Sequence, residues 1–278
     1  MTTKNKMLTE NKMNRLSGKI ALVTGSTQGL GEGIARCLAR EGAKVVVNGR
    51  SQEKGEKVVA TLRQLGADAV FLRADLTDKH QAQQLVQQAT EHFGGLDILV
   101  NNAQVVPQLA PAQAEVNDEL LDVALRSGLY ASLWTGQAAL PWFIRAGGGR
   151  IVNFASLNGV YGSRFGLAYN ATKEGIRGLT RTLANEWGRH NVTVNVVLPS
   201  GWSQAYESFY GDDVKKMEAV ARQTPMRRHG RAEEDIGSAV LGLVAETGRY
   251  ITGQSLFIDG GQNLLGLPQL HTIERSAS

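Results

Sequence analysis

Residues 20–31 read IALVTGSTQGLG, from Ile20 to Gly31, and this stretch decides the fold. Four consecutive apolar residues suit a strand buried on both faces. Behind the glycine-rich segment, Ile34, Ala35 and Leu38 recur at helical spacing. The chain therefore runs strand, tight turn, helix. In that arrangement Gly25 permits the turn, Gly29 lets backbone approach a pyrophosphate, and Gly31 allows close packing of helix on strand. Thr27, Gln28 and Leu30 complete a cradle at the positive end of the helix. Taken alone, the motif also fits an ordinary glycine-rich strand-to-helix turn.

The same alternation continues outward. Apolar runs at Lys44–Asn48, Ala69–Ala74, Leu96–Asn101, Arg150–Ala155, Thr193–Leu198 and Ser255–Ile258 predict further strands. Helical patterns separate them at Lys54–Leu65, Gln81–Phe93, Val116–Ala146, Leu167–Arg189 and Glu233–Glu246. Strand–helix repetition of this kind predicts an α/β fold: a single Rossmann-like, doubly wound parallel sheet of about seven strands with helices on both faces. The expected body spans residues 17–265, with a basic, disordered leader at 1–16 and a patternless tail at 266–278. The irregular stretch 199–229 is long for a loop and reads as a substrate-binding segment.

Composition narrows the function. The 278 residues are 42% apolar with a single cysteine, Cys37, so the chain can bury a large core and forms no internal disulfide. The net charge of +4 suggests nucleic acid until it is located. Residues 1–19 hold five Lys or Arg against Glu10, and the remainder sums to zero. The leader has no apolar core of a secretory signal, and no run reaches the ~20 residues of a membrane span. A cytoplasmic protein that binds neither nucleic acid nor membrane is expected. The five histidines are scattered, with no pair at helical spacing, which argues against a metal site.

Several motifs fall in one order along the chain: Thr24-Gly25 through Gly31, Asp75-Leu76, Asn101-Asn102-Ala103, Ser156, Tyr169-Asn170-Ala171-Thr172-Lys173, Asn195 through Pro199, and Asp259-Gly260-Gly261. Over about residues 17–262 the sequence resembles the classical short-chain dehydrogenase/reductase family. That resemblance implies Ser156, Tyr169 and Lys173 as catalytic residues. It implies cofactor contacts from Asp75 and Leu76 to adenine, from Asn102 and Ala103, from Lys173 to the nicotinamide ribose, and from Tyr169 and Pro199. It also implies a homotetramer built on the two long helices.

The chemistry of the trio follows from residue type. Tyr169 and Lys173 stand one helical turn apart on one face. An ammonium beside a phenol, whose usual pKa is near 10, favours phenolate and lowers that value. The tyrosine then exchanges a proton near neutral pH, while the Ser156 hydroxyl polarises the substrate oxygen. Cofactor choice is read after the second strand, at Asn48-Gly49-Arg50-Ser51. An acid at 49 would bind the ribose 2′-hydroxyl and repel a 2′-phosphate. Arg50 and Ser51 instead suit a phosphate, so NADP(H) is preferred over NAD(H); the other reading leaves Arg50 on the solvent surface. Gln28 opposes the preference, because NADP-dependent relatives often carry a basic residue there.

Three positions depart from the family pattern. Gly128 replaces an asparagine whose main-chain carbonyl holds a water linked to the active-site lysine. Gly128 keeps a carbonyl and permits a local helix distortion, so Gly128→Asn is expected to change the rate only modestly. Gln104 replaces a glycine and either contacts substrate or points to solvent. Pro199-Ser200-Gly201 replaces the usual Pro-Gly opening. The expected substrate is a small, apolar carbonyl or alcohol, met by Trp202 and, by analogy, by Leu157 and Tyr161, with Gln104 as a fourth candidate. The competing function is a catalytically weak NADP(H)-binding sensor or scaffold.

Overall fold

The computed structural model describes residues 14–106, 117–201, 218–219, 221–222 and 224–265. Seven strands form one sheet: β1 Ile20–Val23, β2 Lys44–Gly49, β3 Ala69–Arg73, β4 Ile98–Asn101, β5 Gly149–Phe154, β6 Val192–Pro199 and β7 Ser255–Ile258. Every pairing is parallel, in the order β3-β2-β1-β4-β5-β6-β7. The order reverses between β1 and β4, which opens a crevice at the carboxyl ends of those strands.

The helices are α1 Gly29–Arg40, α2 Gln52–Gln64, α3 Lys79–Phe93, α4 Asp118–Leu125, α5 Ala131–Arg145, α6 Leu157–Tyr161, α7 Leu167–Trp187 and α8 Ser238–Val244. The strands read as continuous apolar runs because alternate residues enter two separate cores. Val23, Val45 and Val47 pack with Ile34 and Leu38 of α1, Leu62 of α2 and Val240 of α8. Leu22 and Val46 point the other way, into a core with Leu85 of α3, Phe143 of α5 and Leu183 and Trp187 of α7.

Local chemistry sets several boundaries. Asp78 and Asn117 cap α3 and α4 by accepting from backbone N–H groups at 2.8 and 2.9 Å. The expected helix over 116–146 is broken by a π-turn at Arg126–Tyr130. A second π-turn, Ala232–Gly237, precedes α8. Residues 15 and 16, assigned to the leader by composition, are packed: Leu16 is buried and Arg15 donates to both carboxylate oxygens of Glu41 at 2.8 and 3.0 Å. Gly201 and Gly230 form a parallel bridge near the two ends of the expected substrate segment, and Met226 within it donates its N–H to the Gly260 carbonyl at 3.2 Å. No helix among the described residues is long and apolar enough to cross a membrane.

Candidate active site

The turn between β1 and α1 is shaped by exclusion. Gly25 has φ +62°, and a side chain there would begin 2.8 Å from the Cα of Ala103. At Gly31 an added Cβ would lie 2.4 Å from the Gly25 carbonyl and 2.6 Å from Asn102 Nδ2. Asn102 holds the turn from the end of β4, its amide donating to the carbonyls of Thr24 and Gly25, each at 3.0 Å. Its own backbone N–H donates to Thr24 Oγ1 at 3.1 Å. No side chain caps α1. The leading amides are left for an anion, and the close backbone fits a dinucleotide's pyrophosphate.

From this turn a cavity of about 480 Å³ runs along the carboxyl ends of the strands. Its walls include Gly25, Thr27, Gln28, Gly29, Leu30 and Gly31 at one end, then Arg50, Asp75, Leu76, Asn102 and Ala103. Ser156, Leu157, Tyr169, Lys173, Pro199 and Gln104 line the rest. One cavity thus brings together nearly all the residues expected from sequence.

Ser156 ends the strand-to-helix turn after β5 and caps α6, its hydroxyl accepting from Asn158 N–H at 3.2 Å. Tyr169 and Lys173 both lie on α7, as their spacing requires. Lys173 is buried, and its ammonium donates to the Phe154 carbonyl at 2.9 Å. It stands 5.4 Å from the centre of the Tyr169 ring. The expected lowering of the Tyr169 phenol by this ammonium is not what results. Burial raises the phenol above its usual value, and a hydrogen bond with Ser156 draws it part of the way back. The larger effect falls on the lysine, whose pKa burial lowers to about 7.

Gln104 borders the cavity but turns its amide inward, toward the α4–α5 junction. Its Nε2 donates to the carbonyls of Val105 and Ala124 and to Ser127 Oγ, each at 3.1 Å. Its Oε1 is buried without a partner and occupies the space beside Gly128, where an added Cβ would fall 2.1 Å from it and 2.6 Å from Thr172 Cγ2. Gly128 sits in the Arg126–Tyr130 π-turn, the local distortion its lack of a side chain permits, and its carbonyl accepts from Ser132 Oγ at 2.8 Å. A modest effect of Gly128→Asn therefore does not follow from this geometry.

Two other expectations are corrected. Tyr161 does not line the cavity; it is exposed, and its hydroxyl donates to the carbonyl of Asn263, tying α6 to the chain beyond β7. Ser51 also lies outside the cavity wall, accepting from Lys54 N–H as the cap of α2. Trp202 lies outside the described residues. Sequence reading missed Asn158, Ser163 and Gln262, which all border the cavity. Gln262 directly follows Asp259-Gly260-Gly261, a motif whose position was a usable signal. It also missed Lys54, whose ammonium donates to Gln28 Oε1 at 2.8 Å. Among the described residues no cluster of three or more His, Cys, Asp or Glu could hold a metal ion.

Comparison with known proteins agrees with this geometry. A family model described as enoyl-(acyl carrier protein) reductase matches residues 25–263. A Streptomyces violaceoruber protein provisionally named granaticin polyketide synthase ketoacyl reductase 2 is 42% identical over 88% of this chain and 96% of its own. The 12alpha-hydroxysteroid dehydrogenase of Clostridium sp. is 34% identical over 90% of this chain and 98% of its own. The crystal structure of levodione reductase superposes with a TM-score of 0.84 at 28% identity, covering 90% of this chain and 99% of that one. With these matches spanning the sheet and the cavity, the chain belongs to the classical short-chain dehydrogenase/reductase family of nicotinamide-dependent oxidoreductases.

Proposed function

We propose that this protein is an NADP(H)-preferring oxidoreductase that interconverts a ketone and a secondary alcohol, with Ser156, Tyr169 and Lys173 as its catalytic residues. The observation that carries the reading is the placement of these three residues on the same cavity as the glycine-rich turn. The nicotinamide, when bound, supplies or accepts the hydride. The Tyr169 hydroxyl gives a proton to the substrate oxygen during reduction and takes it back during oxidation. Ser156 hydrogen-bonds the same oxygen as charge builds on it. Lys173, with a pKa near 7, is set to exchange protons at neutral pH and to hold the cofactor ribose.

Three features support NADP(H). Arg50 borders the cavity, is exposed, and has no hydrogen-bond or ion-pair partner among the described residues. Lys54 brings an ammonium to Gln28, the position where a neutral side chain had opposed the preference. A side chain at Gly49 would begin 2.5 Å from Thr27 Cγ2, so a ribose-binding acid there would have to displace Thr27. A homotetramer belongs to the same proposal; exposed Tyr130, Ile144 and Leu167 lie on the helical segments it would use.

The test is steady-state kinetics of the wild type, Tyr169→Phe and Arg50→Ala on a ketone panel with both cofactors. Tyr169→Phe is expected to lower kcat by about 10²–10⁴. Arg50→Ala is expected to raise the NADPH KM by about tenfold or more, as loss of a charge-assisted hydrogen bond predicts, and to leave the NADH KM unchanged. Equal rates in wild type and Tyr169→Phe would favour the sensor or scaffold, and a wild-type preference for NADH would overturn the cofactor assignment.

A further inference from the structure

We infer that Gln262 reads a second oxygen on the substrate, so that the preferred substrates are ketones bearing a further carbonyl or hydroxyl group rather than plain hydrocarbon ketones. This rests on the oxidoreductase function proposed above and amends the expectation of an apolar substrate.

Gln262 is 8% exposed and borders the cavity that holds Ser156 and Tyr169. Its side-chain amide makes no hydrogen bond with any described residue, although it can donate two and accept two, and its polar atoms are not sealed from the cavity. The backbone around it is pinned on both sides. Buried Asp259 accepts from Gly261 N–H at 2.9 Å and from Asn263 N–H at 2.7 Å. The Gln262 N–H donates to the Asp259 carbonyl at 3.2 Å, and Tyr161 holds the Asn263 carbonyl. A rigid loop thus presents an unpaired amide to the cavity. A ligand group that pairs with this amide gains a hydrogen bond worth about 0.5–1.5 kcal/mol.

Topology places this amide at the substrate end. Gln262 follows β7, the edge strand opposite β3, whereas Gly25 and Arg50 follow β1 and β2. Its neighbour Asn263 is tied to α6, the helix that begins directly after Ser156. Asn158, the second residue of α6, adds on the cavity wall a second side-chain amide with no partner among the described residues. Two carboxamides that both donate and accept match hydroxyl and carbonyl oxygens. A site built to hydrogen-bond a substrate group discriminates strongly against the analogue that lacks it.

The test compares cyclohexanone with 1,4-cyclohexanedione and 4-hydroxycyclohexanone in the full-length wild type, Gln262→Leu and Gln262→Glu, with folding checked by circular dichroism. The wild type is expected to favour the two oxygenated ketones at least tenfold in kcat/KM. Gln262→Leu should bring both ratios close to one, chiefly through KM, while cyclohexanone kcat and the cofactor KM stay within twofold. Gln262→Glu keeps an acceptor but no donor, so it should retain the preference for the hydroxyketone and lose that for the dione. Unchanged ratios in Gln262→Leu, or a rise in the cofactor KM instead, would overturn the inference and leave the proposed reaction standing. Turnover of none of the three ketones by the wild type would overturn the proposed reaction, and the inference with it.

Discussion

A single methyl group at position 128 would collide with Gln104 and Thr172 together. Gln104 can withdraw only by giving up three hydrogen bonds, two of them to the α4–α5 junction, and Thr172, β-branched, has little freedom to turn. Thr172 directly precedes Lys173 on α7, so the collision is passed to the helix that carries Tyr169 and Lys173. Gly128→Ala is therefore expected to lower kcat/KM by about tenfold or more. Adding Gln104→Ala should recover part of the loss, giving a coupling above about 1 kcal/mol in a double-mutant cycle; additive effects would reject the interlock. The two departures at 104 and 128 were visible in the sequence as separate oddities. Their connection was not, because it depends on a π-turn that no periodicity announces and on contact between residues 24 positions apart. Tyr169, Lys173 and the glycines of the first turn were legible, since local spacing alone fixes their geometry.

At the level of elements, a buried polar ladder locks the helices to the sheet. Thr135 of α5 donates to Asn101 Oδ1 at 2.8 Å, Asn101 donates to Asn153 Oδ1 at 3.0 Å, and Asn153 donates to Thr180 of α7 at 2.9 Å. The two asparagines are register partners in β4 and β5. A buried amide is stabilising only when its partners are present. Asn153→Leu strands the Asn101 amide and is expected to cost about 1–3 kcal/mol in urea unfolding. A loss under about 0.5 kcal/mol would show that the ladder holds nothing. The seven strands were readable because each is a dense apolar run, and only their ends shifted by a residue or two. The ladder was hidden because an asparagine near a strand end looks the same in sequence whether it meets water or another asparagine.

For the molecule as a whole, the buried Lys173 couples stability to pH. Its pKa is about 7 in the folded chain and near 10.4 in an unfolded one. Between those values the unfolded chain binds a proton that the folded chain lacks, so stability rises with pH across that window. Below pH 7 the folded chain must also carry the buried charge, and the gain is gone. The urea midpoint of the cofactor-free wild type is expected to climb from pH 7 to pH 9.5 relative to Lys173→Met; a pH-independent difference between the two would reject this. The net charge of +4 has no part in that effect, because residues 20–278 sum to zero.

The bridge between Gly201 and Gly230 has a consequence for how such a protein diversifies. Chain spliced between two points already held together closes its loop against a fixed stem, and each doubling of loop length then costs only about 0.6 kcal/mol. The number of residues between the two glycines can therefore change at small cost. Such a change leaves the sheet, the glycine-rich turn and the Ser156–Tyr169–Lys173 set in place. A protein built this way can lengthen or shorten one stretch of chain beside its cavity without refolding the rest.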